Sequence, residues 1–153
     1  MLFPALRMGF LVVPPHFIDP LRGARSIVDR HGPMVAQAVL CDFIAEGHFG
    51  RHLRRMREVY AKHLDVLSTA ARNEWSDRLT LQSTDTGLQT VAWLARGLDD
   101  VEFARLALER GVEVGALSQY ALKWRGRNGL QIGFASVGPV ELRRGVREIA
   151  KLL

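Results

Sequence analysis

One arginine, Arg7, interrupts the apolar stretch LFPALRMGFLVVPP near the start of the sequence. A guanidinium is a rigid fork of donors that keeps its charge and binds phosphate oxygens in pairs. An arginine that is buried without such an anion is costly, because its charge loses its hydration. The residues alone leave two interpretations open. Either Arg7 binds an anion such as phosphate, or it points into solvent from the end of a strand.

The stretch LSQY contains two further polar side chains, Gln119 and Tyr120. The carboxamide of Gln119 donates and accepts hydrogen bonds, but it cannot form a charge-assisted pair with a carboxylate. Tyr120 could line the edge of a pocket, or its ring could simply pack against the domain. Gln131 alternates with apolar neighbours along a predicted strand, so we expect it to face away from them and to be structural.

Covalent and metal chemistry have few candidates in this sequence. Lys62, Lys123 and Lys151 are its lysines, and we expect each to be a solvated side chain rather than an imine-forming amine. The single cysteine, Cys41, excludes an internal disulfide framework, and we expect it to be a small core residue. The histidines lack the spacing and the acidic partners of a metal site. We therefore predict no catalytic residue and no metal ligand.

The composition indicates a globular protein. The 153 residues are 48% hydrophobic and 24% charged, which excludes a disordered tail. No stretch approaches the roughly 18 apolar residues of a membrane span, and the opening lacks the basic lead of a secretory signal. We therefore predict a cytoplasmic protein with no membrane contact. The net charge of +5 and the cluster RHLRRMR permit a nucleic-acid interpretation, although a solvated helix face is favoured.

Hydrophobic periodicity predicts an α+β fold, in which helices pack on a small mixed β-sheet. Helices are predicted at 17–31, 34–46, 50–72, 99–111 and from 138 to the end, and strands at 8–13, 79–83, 88–94, 112–117 and 130–136. The helix at 34–46 is apolar nearly all round, so we expect it to be well buried. The strands at 79–83 and 88–94 flank a polar turn and are expected to pair as a hairpin.

The opening stretch resembles the segment that follows the cofactor lysine in fold-type I pyridoxal-phosphate enzymes. It is most similar to the aminotransferase-like domain of MocR-type, GntR-family transcription regulators, whose local pattern is Ser-Lys-x-Leu-Phe-Pro-x-Leu-Arg-x-Gly-Tyr. The matching residues are Leu2, Phe3, Pro4, Leu6, Arg7 and Gly9, with Phe10 in place of the tyrosine. The pieces EGHFGRHLRRMREVYAKH, TGLQTVAWL, GLDD, LSQY, GLQIGFA and GVREIAKLL extend the resemblance over essentially the whole chain.

The resemblance implies how the chain is organised. Residues 1–32 would be a remnant strand and helix of the large cofactor domain, and residues 33–75 would be connecting helices. Residues 76–153 would be the small C-terminal α+β domain of a class I/II aminotransferase. The lysine that forms the Schiff base would lie immediately before Met1, outside this chain.

The resemblance also assigns roles to the candidate residues. It implies that Arg7 binds the phosphate of pyridoxal 5′-phosphate in the intact protein, although stable binding by this chain alone is not expected. Several relatives have an arginine after the serine of LSQY, and that arginine takes the substrate carboxylate. Gln119 departs from this pattern, so Gln119 and Tyr120 are expected to contact a substrate or effector without pairing with a carboxylate.

Three classes of function follow from these observations. The favoured one is the C-terminal part of a pyridoxal-phosphate-sensing effector domain, which would form a homodimer, bind pyridoxal phosphate or an amino-acid-like effector, and reach DNA only through an upstream domain. The second is the C-terminal part of a genuine aminotransferase that acts on an amino acid and a 2-oxo acid. The third is a stand-alone domain that binds protein or nucleic acid.

Overall fold

The computed structural model of the protein describes residues 7–30, 32–75, 77–85, 87–123 and 126–153. Its helices are α1 (Ile18–Val28), α2 (Met34–Ala45), α3 (His48–Glu74), α4 (Asp100–Glu109) and α5 (Pro139–Ala150). Its strands are β1 (Leu79–Leu81), β2 (Gln89–Leu94), β3 (Gly115–Ala116) and β4 (Gly129–Gly133). Short 3-10 turns cover Pro15–Phe17 and Leu117–Tyr120. The residues group into two compact units, whose boundary between Met56 and Arg57 falls within α3.

The segment before α1 contradicts one sequence prediction. Residues 8–13 form neither helix nor strand, so the prediction of a buried strand there is wrong. The side chains of Phe10 and Val12 are both 89% exposed. A strand needs a neighbouring strand for its backbone hydrogen bonds, and none of the described residues supplies one here. The motif residues Leu2 to Leu6 lie outside the described residues.

Helix α2 forms where it was predicted, but it is not buried. Met34 is 74% exposed and Val35 is 79% exposed, and Cys41 is exposed as well. The expectations of a well-buried helix and of a core cysteine are therefore both wrong for the described residues. A helix sequence that is apolar on all sides indicates that other surfaces cover the helix, but it does not identify those surfaces.

The second unit contains the sheet, and it confirms the predicted α+β class. The strand order is β1-β2-β4-β3, and all three described pairings are antiparallel, so the sheet is not mixed. The predicted hairpin is confirmed, because Leu79 pairs with Leu94 and Leu81 pairs with Ala92. The strand predicted at 112–117 is shorter than expected and comprises only β3.

One face of this sheet forms the core of the second unit. The residues of β2 and β4 on this face are Thr90, Ala92, Leu94, Leu130 and Ile132, and all are at most 6% exposed. The same core includes Leu67 of α3, Phe103 of α4, and Leu142, Val146 and Ile149 of α5. Alternation along each strand then directs the intervening side chains to the opposite face.

Helix α4 begins and ends as its sequence predicts. Asp99 is its N-cap, and the Asp99 carboxylate accepts a hydrogen bond from the backbone N–H of Glu102 at 2.8 Å. Gly111 follows the helix with a φ of +71°, a left-handed conformation that glycine adopts without a steric penalty. Within the described residues, no helix combines the length and hydrophobicity needed to cross a membrane.

Candidate ligand-binding groove

Three neutral polar side chains form a row on the face of the sheet that points away from the core. The hydroxyl of Tyr120 donates to Oε1 of Gln131 at 2.9 Å, and Nε2 of Gln131 donates to Oε1 of Gln89 at 2.8 Å. Gln131 lies in the middle because β4 pairs on one side with β2 and on the other with β3. We call Gln89, Gln131 and Tyr120 the amide row.

A glycine beside this row keeps it accessible. Gly115 of β3 is the cross-strand partner of Gln131. A Cβ atom at Gly115 would lie 3.1 Å from the Tyr120 hydroxyl and 3.3 Å from Oε1 of Gln131. Both distances are tighter than ordinary van der Waals contact, so any other residue would push Tyr120 or Gln131 away. Glycine at this position therefore lets the phenol lie close to the sheet.

A buried carboxylate holds the turn that carries Tyr120. Asp100, at the start of α4, is only 1% exposed. Its carboxylate accepts hydrogen bonds from the Ser118 hydroxyl at 2.6 Å, the Ser118 backbone N–H at 3.0 Å and the Gly129 backbone N–H at 3.4 Å. These contacts connect the 117–120 turn to the first residue of β4. Asp100 therefore fixes the position of Tyr120 relative to Gln131.

The pKa of Asp100 reflects two opposed effects. Burial alone would raise it, because a charged carboxylate loses its hydration. The hydrogen bonds from Ser118 and Gly129 favour the charged form, and together they outweigh burial and lower the pKa of Asp100 below its usual value. The clamp therefore depends on an ionised carboxylate.

A groove with a volume of about 510 Å³ includes the amide row in its lining, together with core residues such as Ile132, Leu142 and Val146. This is within the range of about 300–1,000 Å³ that is usual for small-molecule sites. The groove also reaches Glu113, Glu141 and Arg144. Arg144 pairs with Glu141 at 2.7 Å, so the one guanidinium in the described lining already has a carboxylate partner.

A second cavity of about 610 Å³ lies among the loops that follow β2 and precede β4. Two of its polar side chains hold backbone carbonyl groups. Arg127 Nε donates to the carbonyl of Leu94 at 2.9 Å, and the Asn128 amide donates to the carbonyl of Leu98 at 2.8 Å. We therefore interpret it as a gap between loops that these side chains stabilise, and we take the groove as the candidate site.

The structure changes which of the candidate residues line the groove. Tyr120 lies in the groove, whereas Gln119 is exposed in the same turn and is not among the described residues that line it. Gln131, which we expected to be structural, is at the centre of the amide row. Its alternation with Leu130 and Ile132 did indicate that it faces away from the core. The contact with Tyr120 was missed because it depends on a loop.

Pyridoxal phosphate requires a phosphate site and an amine for its covalent attachment. Arg7 is exposed, and its φ of +49° lies in the left-handed region, which is uncommon for a residue other than glycine. Lys62, Lys123 and Lys151 are all exposed, and Lys151 pairs with Glu148 at 2.6 Å. Neither Arg7 nor any of these lysines is among the described residues that line the groove. Within the described residues, there is also no cluster that could hold a metal ion.

The sequence is similar to bacterial regulators. It is 37% identical over 148 residues to the probable rhizopine catabolism regulatory protein MocR of Rhizobium meliloti. This alignment covers 97% of the chain and 30% of that protein. It is 30% identical over 165 residues to the HTH-type transcriptional regulator TauR of Rhodobacter capsulatus, covering 99% of the chain and 31% of that protein. The chain thus spans less than a third of the length of these two relatives. No protein-family profile matches the sequence.

The fold is that of known aminotransferases. The crystal structure of LysN, an α-aminoadipate aminotransferase from Thermus thermophilus, matches with a TM-score of 0.89 and 26% identity, over 97% of this chain and 38% of LysN. The multiple substrate aminotransferase of Thermococcus profundus matches with a TM-score of 0.90 at 21% identity, over 97% of this chain and 37% of that one. The chain is therefore the C-terminal part of a fold-type I, pyridoxal-phosphate aminotransferase-like domain of the kind that MocR-type, GntR-family regulators carry.

Proposed function

We propose that this chain is the C-terminal part of the effector domain of a pyridoxal-phosphate-sensing bacterial transcription regulator and is not catalytic alone. The observation that carries this proposal is the identity of 37% and 30%, over nearly the whole chain, to two proteins named as regulators. In the intact protein, Arg7 would bind the cofactor phosphate, and the domain would form a homodimer in the cytoplasm. Contact with DNA would be made by an upstream domain.

The groove supports a ligand-binding role for this part of the protein. Gln89, Gln131 and Tyr120 are placed to orient a ligand by hydrogen bonds. Gln119 and Tyr120 lie on the turn that Asp100 holds, at the side of the groove. Ligand binding at Tyr120 could therefore be transmitted to α4 through Ser118 and Asp100.

The alternative function is that of a genuine aminotransferase acting on an amino acid and a 2-oxo acid. The match to LysN at 26% identity favours it. Two features of this chain weigh against it. A neutral residue, Gln119, stands where the resemblance places a carboxylate-binding arginine. The only arginine in the described lining of the groove, Arg144, is paired with Glu141.

The test of the proposed function uses the full-length protein of the gene that encodes this chain. Its affinity for its own promoter DNA would be measured by fluorescence anisotropy, with and without pyridoxal phosphate. We expect the cofactor to change the dissociation constant by about fivefold or more, the lower range of allosteric coupling. A protein that does not bind DNA but transfers an amino group from an amino acid to a 2-oxo acid would contradict the proposal and establish the alternative.

A separate prediction concerns the 153-residue chain alone. After pyridoxal phosphate is added, we expect no visible absorbance band of a defined lysine adduct, because Lys62, Lys123 and Lys151 are solvent-exposed and outside the groove. Borohydride treatment followed by peptide mass mapping would check this. A stoichiometric adduct at a single lysine would show that this interpretation is wrong. The same preparation tests nucleic-acid binding, since tight, steeply salt-dependent DNA binding would favour the stand-alone domain.

A further inference from the structure

The amide row has unused hydrogen-bonding capacity. A carboxamide has two donor hydrogens and an oxygen with two lone pairs, and the described contacts use only part of this capacity in Gln131 and Gln89. Tyr120 is 70% exposed, so its hydroxyl is within reach of a ligand in the groove. The row can therefore both donate to and accept from a small molecule, and it does so without a formal charge.

The charged side chains that line the groove disfavour an anionic ligand. The charged side chains that the described lining contributes are Glu113, Glu141 and Arg144, which are two carboxylates against one guanidinium. Arg144 pairs with Glu141 at 2.7 Å and donates to the carbonyl of Gly111 at 3.4 Å, so an entering carboxylate would compete with Glu141 for it. A carboxylate that entered the groove would lose hydration without gaining an unpaired cation. A neutral polar group would exchange its hydrogen bonds to water for equivalent ones to the row.

The shape of the site is fixed independently of any ligand. Asp100 holds Ser118 and hence the turn that carries Tyr120, while Gly115 leaves the space over which the phenol extends. A preorganised set of donors and acceptors costs less conformational entropy when a ligand binds. The row is therefore suited to select among ligands, and not only to satisfy its own polar groups.

We propose that the groove binds the uncharged polar end of a small ligand, a hydroxyl or carboxamide group, through Gln131, Gln89 and Tyr120, and that it discriminates against a carboxylate. The inference rests on the proposed function only in treating the groove as the effector site. It specifies the chemical class of the effector group, which the similarity to regulators and aminotransferases leaves open.

The experiment compares two probes of nearly equal size, propionamide and propionate. Each is titrated into the 153-residue chain, and the side-chain amide resonances of Gln89 and Gln131 are followed by nitrogen-15 NMR. We expect propionamide to shift both resonances with saturation and propionate to leave them unchanged at the same concentration. Propionate binding as tight as that of propionamide would overturn the proposal, as would the absence of any shift with both probes.

Variants connect the binding to the row. Gln131→Leu should weaken propionamide binding about tenfold, because the hydrogen bonds of the ligand to the central amide are lost. Gln37→Leu is the control, since this exposed glutamine of α2 lies outside the described lining of the groove, and propionamide should bind this variant as tightly as the wild type. Should Gln131→Leu fail to fold, Tyr120→Phe removes a hydroxyl at an exposed position and should weaken binding severalfold. If propionamide bound Gln131→Leu and Tyr120→Phe as tightly as the wild type, the assignment of the site to the amide row would be contradicted.

A gain-of-function variant provides an independent check. Gln131→Arg places a guanidinium in the row, so propionate should then bind more tightly than propionamide. These measurements detect binding to this chain directly and need neither DNA nor pyridoxal phosphate. Amide-selective binding to this chain, together with a full-length protein that does not bind DNA, would support the site and reject the regulatory function. A full-length protein whose DNA affinity responds to pyridoxal phosphate, together with no amide-selective binding, would reject the site alone.

Discussion

Asp100→Ala is expected to lower the free energy of unfolding by about 2–3 kcal/mol, because it leaves buried donors without their charged acceptor. The Asp100 carboxylate is 1% exposed and accepts from the Ser118 hydroxyl and from the backbone N–H groups of Ser118 and Gly129. Urea denaturation followed by tryptophan fluorescence would measure the change. Trp75 is a suitable reporter because it is buried in the core of the same unit.

Ser118→Ala is the control for this prediction. It removes one of the donors to Asp100 and leaves both backbone N–H groups paired, so its cost should be about 1 kcal/mol. An Asp100→Ala variant as stable as Ser118→Ala would contradict the interpretation of Asp100 as the centre of the clamp.

The pH dependence of stability follows from the lowered pKa of Asp100. A carboxyl whose folded pKa lies below its unfolded value, about 3.9 for aspartate, contributes its full stabilisation above the unfolded value. That contribution is lost as the pH falls from about 4 through the folded pKa. The free energy of unfolding of the wild type should therefore decrease over this acidic range more steeply than that of Asp100→Ala. Equal slopes would mean that another carboxyl group is responsible.

The largest loss of stability is expected from Phe134→Ala, at about 3–5 kcal/mol. Phe134 follows β4 and is 1% exposed within the core of the second unit. Its backbone carbonyl lies 3.0 Å from Nδ1 of His63, and its N–H donates to the carbonyl of Leu88. Removing the ring would leave a cavity, while these backbone contacts stay available.

The matched control is the same substitution at an exposed position. Phe10 is 89% exposed, so Phe10→Ala should change the free energy of unfolding by less than about 0.5 kcal/mol. Thermal unfolding followed by circular dichroism would compare the two variants with the wild type. A small effect of Phe134→Ala would show that the core tolerates the cavity by collapsing around it.

The elements that the sequence predicted correctly carry their own signals. Helix α4 has an aspartate N-cap and a closing glycine, and both appear in the structure. Helices α3 and α5 contribute apolar residues at helical spacing to the core of the second unit: Leu67 and Ala71 of α3, and Leu142, Val146 and Ile149 of α5. The β1–β2 hairpin follows from two alternating stretches around a polar turn. In each case, the residues that define the element are neighbours in the sequence.

The failed predictions depended on partners that the sequence does not identify. The apolar residues 8–13 and helix α2 indicated burial, but the described residues provide neither a pairing strand for the first nor a covering surface for the second. The same limit applied to the site. Gln131 and Tyr120 are 11 residues apart, and the loop between them has no periodic pattern. The Asp100 clamp, which joins residues 18 positions apart in the sequence, helps to place Tyr120 beside the strand.

Gly115 has a consequence for how recognition evolves in such proteins. A single-base change in a glycine codon can introduce a side chain where there is room for almost none, beside Tyr120 and Gln131. Because Tyr120 is largely exposed, it can swing aside without disturbing the buried core. Under the proposed function, ligand binding at the groove would therefore be altered in one mutational step while the fold persists. Selection acting on this position would then change the proposed ligand site separately from the stability of the fold.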